Sequence, residues 1–232
     1  MFNWKRINNK KSIWRKAFRS YSLRLFIGFI LGVISLLVFL ELSEDLLFDE
    51  LQQFDQIVTG LIRIKMSTFL TKTMIYISAL GSSAMLTILG LLFFGYVLFV
   101  KKHFWDSLNI PIVLIGATIL NNILKIFFHR QRPMLEHLVP VAGLSFPSGH
   151  AMISYAFYGL VIYLVWINTE NKYLKSAVAV LLSLLILLIG ISRIYLGVHY
   201  PSDVLAGFAA GSFWLIACIL GLKSVRLMGS DA

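Results

Sequence analysis

The sequence has 232 residues, 58% hydrophobic and only 14% charged, against roughly 45–50% and roughly 25% in soluble domains. That balance argues against a soluble globular enzyme and against a disordered chain. A single cysteine, Cys218, rules out an intramolecular disulfide and a multi-cysteine metal site, and the net charge of +10 has to be read by position.

Lys5, Arg6, Lys10, Lys11, Arg15, Lys16, Arg19 and Arg24 crowd residues 1–24. A basic run directly before an apolar segment predicts a juxtamembrane region facing anionic lipid, not a nucleic-acid site. The run is long, no small-residue cleavage site follows and more spans come after, so the first span is read as uncleaved. Six uncharged stretches follow, at 25–40, 73–100, 107–124, 151–169, 176–192 and 204–222. A helix needs roughly 20 mostly apolar residues to cross the hydrocarbon core. The first stretch is short, but Tyr21, Ser22 and Leu23 extend it and Arg24 can snorkel. The second is too long for one straight span. Gly81-Ser82-Ser83 divides it into 73–80, near the outer interface, and a span from about Ser82 to Val100. The expected fold is all-α, an integral membrane bundle of six transmembrane helices over 25–222, with a short tail at 223–232.

Between the first two spans, Glu41, Glu44, Asp45, Asp49, Glu50 and Asp55 alternate with apolar residues. Apolar positions 47, 51, 54 and 58 recur at helical spacing, which predicts either an amphipathic helix on the outer membrane surface or a solvated linker helix. Orientation follows from Lys and Arg in short loops. With the N-terminus inside, the inner side holds the N-terminal run with Lys101, Lys102, Lys172, Lys175, Lys223 and Arg226. The outer side holds half as many: Arg63, Lys65, Lys72, Lys125, Arg130, Arg132 and Arg193. Both termini are therefore expected in the cytoplasm. Trp105, Tyr163, Trp166 and Tyr200 fall near span ends, the usual belt positions.

A membrane anchor needs few ionisable groups at its span ends, yet three clusters gather at the outer ends of spans three to six. Such groups are functional candidates by default. Lys125 and Arg132 are seven apart and share a face if the helix persists until Pro133 stops it. Arg193 adds a third cation, and three fixed positive groups suit a phosphate dianion. Ser148 stands where span four starts, a favoured N-cap position whose free N–H groups attract anions, and Gly149 permits close approach of a ligand. His199 and Asp203 are four apart, with Pro201 between them at a first helical position. A carboxylate on one imidazole nitrogen fixes the tautomer and leaves the other as nucleophile or base. His150 is a second histidine at the same end, while His103 lies in the inner loop and His129 and His137 lie outside with no evident partner.

The pattern Lys125-x6-Arg132-Pro133, then Pro147-Ser148-Gly149-His150, then Ser192-Arg193-x5-His199-x3-Asp203 resembles the signature of the type-2 phosphatidic acid phosphatase family, related to the vanadium haloperoxidases. The signature spans 125–203, about a third of the chain. The resemblance implies that Lys125, Arg132, Ser148, Gly149 and Arg193 hold the phosphate. It implies that His199 attacks phosphorus to form a phosphohistidine, that Asp203 orients it, and that His150 protonates the leaving oxygen and then helps activate water. The expected activity is hydrolysis of a lipid phosphate monoester or diphosphate, with phosphatidylglycerol phosphate, undecaprenyl diphosphate and phosphatidic acid as candidates, at an outward-facing site in the cell membrane. No cofactor, metal or nucleic acid is expected. The cations can do what Mg²⁺ does elsewhere, and Glu136, Asp203 and Asp55 are too few for a cation cage. The rivals are a lipid phosphotransferase using the same histidine, a vanadate haloperoxidase, and a non-catalytic anionic-lipid binder or transporter. The last would need the cations but not both histidines and Asp203. Oligomeric state is open.

Overall fold

A computed structural model describes residues 4–64 and 66–230. Among them are eight α-helices: α1 (Trp4–Leu47), α2 (Gln52–Arg63), α3 (Thr68–Leu80), α4 (Ser83–Gly95, continued by a π turn over Tyr96–Val100), α5 (Phe104–Phe128), α6 (Gly149–Asn168), α7 (Lys172–Tyr195) and α8 (Pro201–Ser230). Six stretches are long and apolar enough to cross a bilayer: Leu25–Leu47, Ser83–Val100, Phe104–Phe128, Gly149–Asn168, Lys172–Tyr195 and Pro201–Ser224. The expected six-helix membrane bundle is the observed fold. Lys65, one of the cations assigned to the outer side, lies outside the described residues.

Helix boundaries follow local chemistry. Ser67, Ser82 and Asn171 cap α3, α4 and α7 by accepting backbone N–H groups of the first turn. The break at Gly81-Ser82 thus ends one helix and starts the next, as the sequence predicted. α5 departs from expectation. It stops at Phe128 rather than at Pro133, because His129 takes a left-handed conformation (φ 49°) and its N–H closes on the Lys125 carbonyl at 3.0 Å. Its ring Nδ1 donates to the Ile126 carbonyl at 2.9 Å, which holds the cap in place. Arg132 is therefore on a loop, not on a helical face shared with Lys125.

The most buried spans are α6 and α8. α1 lies outermost and antiparallel to α8, with Gly28 against Leu220, Gly32 against Ile216, and the Ser35 and Ser212 hydroxyls 3.0 Å apart. α8 meets α6 through Gly207 and Gly211, one turn apart. A Cβ on Gly207 would lie 2.8 Å from the Ser148 carbonyl oxygen, and one on Gly211 2.5 Å from that of Met152. Both obstacles are backbone, so this small-residue face admits nothing larger. We expect Gly211→Ala to lower stability by about 1–3 kcal/mol, the usual cost of overpacking, seen as a lower melting midpoint in detergent. An unchanged midpoint would mean that the two helices can separate freely.

The acidic segment resolves differently from its apolar pattern. Leu47 closes α1, and α2 begins only at Gln52. α2 turns Leu51, Asp55 and Ile62 towards the bundle and leaves Phe54, Ile57 and Leu61 exposed. The predicted stripe over 47, 51, 54 and 58 is thus split, and a carboxylate takes the centre of the buried face. An outward row of Phe and aliphatic side chains fits the headgroup boundary better than a solvated linker. At the opposite end of the bundle, Lys175 lies over Trp166 and Lys223 over Tyr163, at 5.1 and 5.2 Å.

Candidate active site

All the motif residues converge at one end of the bundle. Lys125 comes from the last turn of α5, and Arg132 and Ser148 from the loop 129–148. Gly149 and His150 open α6, Arg193 closes α7, His199 lies on the turn after it, and Asp203 is in the first turn of α8. The loop is tied down by its own cations. Arg132 donates from Nε to the Gly143 carbonyl at 2.9 Å and from its terminal nitrogens to the carbonyls of Ala142 and Val198 at 3.1 and 2.7 Å. Lys125 Nζ donates to the Leu144 and Ser145 carbonyls. The Ser148 N–H donates to the Asp203 carbonyl at 3.0 Å, fixing the start of α6 to the start of α8. Gly197 makes the turn before His199 at φ 77°, where a Cβ would also meet the Glu136 carbonyl oxygen at 2.7 Å.

His199 is almost fully buried between two sets of partners. Its Nδ1 lies 3.3 Å from Asp203 Oδ2 and 3.3 Å from Ser145 Oγ, and its Nε2 lies 3.2 Å from an Arg132 terminal nitrogen. A guanidinium only donates. Nε2 is therefore the acceptor, and the ring proton is on Nδ1, facing Asp203. Burial pushes the His199 imidazole down to about 4, with Asp203 pulling upwards and Arg132 and Arg193 adding to the depression. At neutral pH the ring is uncharged, with its lone pair on Nε2. Arg132 is also lowered by burial, an effect that Asp203 opposes.

Asp203 has no exposed surface and accepts from every side: the Tyr200 N–H at 2.9 Å, Ser145 Oγ, and Arg130 at 2.7 Å. Arg193 is buried and donates to Ser78 Oγ on α3 at 2.5 Å. Among the described residues its Nε has no partner, and neither has the buried Ser148 Oγ. Orphaned buried donors are rare and mark a place for an acceptor. Ser148 does occupy the N-cap position expected, but its hydroxyl makes no capping bond and remains free for a ligand. Gly149 packs where a Cβ would sit 2.9 Å from Asn121 Oδ1, and Asn121 Nδ2 holds the Pro147 carbonyl at 3.2 Å. His150 lies within electrostatic range of Lys125, Arg132, Arg193 and His199.

The structure thus assembles three cations, two orphaned donors and two histidines around one point, an arrangement able to hold a phosphate against a nucleophilic nitrogen. Among the described residues no group of three or more His, Cys, Asp or Glu is placed to hold a metal ion. His103, His129 and His137 go elsewhere, to Asp106, the Ile126 carbonyl and the Pro133 carbonyl. Four further residues enter that the motif reading missed: Asp55, Arg130, Ser145 and Ser78. Arg130 carried a signal, being an outer cation without an assignment. An apolar cleft of about 430 Å³ between α4, α5 and α6 runs beside the site, lined by Leu86, Gly90, Phe94, Leu114, Ile115 and Ile153, the last one turn from His150.

Known proteins resemble this chain in sequence and in fold. The profile of the PAP2 superfamily matches residues 106–225, slightly more than half the chain. Phosphatidylglycerophosphatase B of Bacillus subtilis is 32% identical over 177 residues, covering 75% of this chain and 86% of the relative. The crystal structure of the first transmembrane PAP2-type phosphatidylglycerolphosphate phosphatase from Bacillus subtilis superposes with a TM-score of 0.77 at 30% identity, over 84% of this chain and 96% of that one. A putative undecaprenyl-diphosphatase, YbjG of Escherichia coli, is 32% identical over 107 residues, 44% of this chain and 48% of the relative. By profile, by identity and by fold, this chain belongs to the PAP2 superfamily and is a multi-pass membrane lipid phosphatase.

Proposed function

We propose that the protein hydrolyses a lipid phosphate monoester or diphosphate on the outer face of the cell membrane, through a phosphohistidine on His199. The observation that carries this reading is the setting of His199, with Nδ1 3.3 Å from Asp203 Oδ2 and Nε2 3.2 Å from the Arg132 guanidinium, which can only donate. Lys125, Arg132, Arg193, Ser148 Oγ and the Gly149 N–H take the phosphoryl oxygens. Nε2 attacks phosphorus as the bond to the leaving oxygen breaks, and His150 gives that oxygen a proton. The phosphorylated ring is cationic, and Asp203 stabilises it. His150, now neutral, takes a proton from water, which attacks phosphorus and frees His199. Phosphoryl transfer of this kind asks mainly for alignment and charge stabilisation.

The adjoining cleft suits an apolar tail, so that the headgroup reaches the cations while the chains stay in the bilayer. Phosphatidylglycerol phosphate, undecaprenyl diphosphate and phosphatidic acid share the chemistry needed. The reading is tested by phosphate release from purified protein in detergent against a panel of these lipids, with His199→Ala as control. Release from at least one lipid, absent in the variant, is expected. No release from any lipid, or release that survives His199→Ala, overturns it.

Orientation gives a separate prediction. Of the cations at the site end, Lys125, Arg130, Arg132 and Arg193 are built into the site, whereas Lys101, Lys102, Lys172, Lys175 and Lys223 stand at the other end. The unengaged positive charge therefore favours that end as cytoplasmic. In a Cys218→Ser background, Met134→Cys should react with an impermeant thiol reagent on intact cells and Glu170→Cys should not. The reverse labelling would place the site inside.

The cations also predict the response to chelation and to vanadate. Activity should survive excess EDTA without added Mg²⁺. Vanadate should inhibit, since it can adopt the five-coordinate geometry of phosphorus attached to His199. Loss of activity on chelation, restored by Mg²⁺, would contradict the electrophilic role given to Lys125, Arg132 and Arg193.

A further inference from the structure

Asp55 lies outside the family motif, yet it is among the most deeply buried polar residues, 2% exposed on a helix whose neighbouring positions face outwards. A buried carboxylate persists only with partners, and those of Asp55 lead to the nucleophile. One oxygen accepts the Ser202 N–H at 2.9 Å. The other accepts the Ser202 hydroxyl and an Arg130 terminal nitrogen, each at 2.7 Å. The second terminal nitrogen of Arg130 reaches Asp203 Oδ1 at 2.7 Å, and the guanidinium stacks 4.1 Å over the Tyr200 ring. One guanidinium is thus shared between two carboxylates, with a separate nitrogen for each.

We propose that Asp55 is a positioning residue for catalysis, holding Arg130 so that it orients Asp203 without cancelling the charge that Asp203 presents to His199. The inference rests on His199 as the nucleophile. Arg130 paired with Asp203 alone would form a neutral unit, of little use to the cationic ring created by phosphoryl transfer. With Asp55 the unit keeps one net negative charge. The need is clear from what else faces His199: Arg132 and Ser145 from the loop, Arg193 from α7 and His150 from α6. None of these is anionic, so the negative charge beside the ring is that of Asp203. α2 therefore reaches the reaction through two charges, although it supplies no group that touches substrate.

Asp55→Asn keeps the shape and the Ser202 contact while removing the charge. The test measures kcat, KM and the acid limb of kcat/KM for the wild type, Asp55→Asn, Asp203→Asn and the double variant, with p-nitrophenyl phosphate as a common substrate. Outer partners of a catalytic histidine typically matter by about 10–100-fold, as measured in metal sites. That loss is expected in kcat, with KM changed less than about twofold. The acid limb, placed near 4 by burial of His199, should move to lower pH, because a lost negative charge makes the ring harder to protonate. In the Asp203→Asn background the same substitution should cost almost nothing, since Asp55 acts through Asp203. Equal losses in both backgrounds, or an unchanged kcat with an unmoved limb, would overturn the proposal. Should Asp55→Asn fail to fold, Arg130→Lys goes through the same cycle. It keeps the charge but cannot span both carboxylates, and the same coupling to Asp203 is expected. Retained turnover in His199→Ala would instead defeat the phosphohistidine reading itself, whatever Asp55 does.

Discussion

Replacing His199 by Ala should abolish turnover of every substrate, whereas replacing His150 by Ala should give a loss that depends on the leaving group. The first expectation follows from the proposed covalent step: without the Nε2 lone pair no phosphoenzyme would form, and the remaining cations would only bind phosphate. The second follows from acid catalysis. A lipid alkoxide leaves poorly without a proton, and losing the acid typically costs about 10²–10⁴-fold. A p-nitrophenolate leaves unaided, so His150→Ala should still form the phosphoenzyme from p-nitrophenyl phosphate. With His150 also proposed to activate water, that intermediate should persist. Rapid mixing should show a burst of nitrophenol followed by slow turnover, with trapped phosphate that is acid-labile and alkali-stable. A burst from His199→Ala with none from His150→Ala would reverse the two roles.

Arg193→Gln should lower kcat by about 10²–10³-fold while leaving the unligated protein at least as stable. In the proposed reaction its donors face the place where charge gathers in the transition state, and removing one such donor typically costs about 2.7–4 kcal/mol of barrier. Arg193 is also buried, with Lys125 and Arg132 in electrostatic range. Deleting one cation of three relieves repulsion that only a bound anion otherwise offsets. The melting midpoint of the wild type should therefore rise with added phosphate or vanadate, and that of the variant should rise much less. A variant that keeps full kcat would show that Arg193 serves structure alone.

The fold was largely legible because each span is a run of apolar residues long enough to cross, and its interruptions carry their own caps. The motif residues were legible because they are ionisable groups where a membrane anchor has no use for them. What escaped was geometry set by a single backbone conformation or by distant partners. The spacing of Lys125 and Arg132 suggested one helical face, but His129 turns left-handed and sends Arg132 back over the site along a loop. Arg130 looked like a spare outer cation and Asp55 like one more acidic residue in an amphipathic segment. They are 75 positions apart and meet only because α2 folds against the start of α8. Ser145 and Ser78 gave no signal, since a serine that orients a carboxylate or an arginine looks like any serine in a loop or an interfacial helix.

The alternation of helices through the bilayer has an electrostatic consequence for this end of the bundle. α6 and α8 begin here and α5 and α7 finish here, so two positive and two negative backbone macrodipole ends meet around the same point. Lys125 sits in the last turn of α5 and Arg193 in the last turn of α7, where the carbonyl ends favour positive charge. Asp203 sits in the first turn of α8, where the amide end favours a negative one, and the start of α6 has no acidic side chain of its own. Lys125, Arg193 and Asp203 thus stand at helix ends whose fields stabilise them, and the amide end of α6, with no acid of its own, points to where an anion would lie. A crossing pattern imposed by the membrane has supplied the polarity on which a phosphate site can be built.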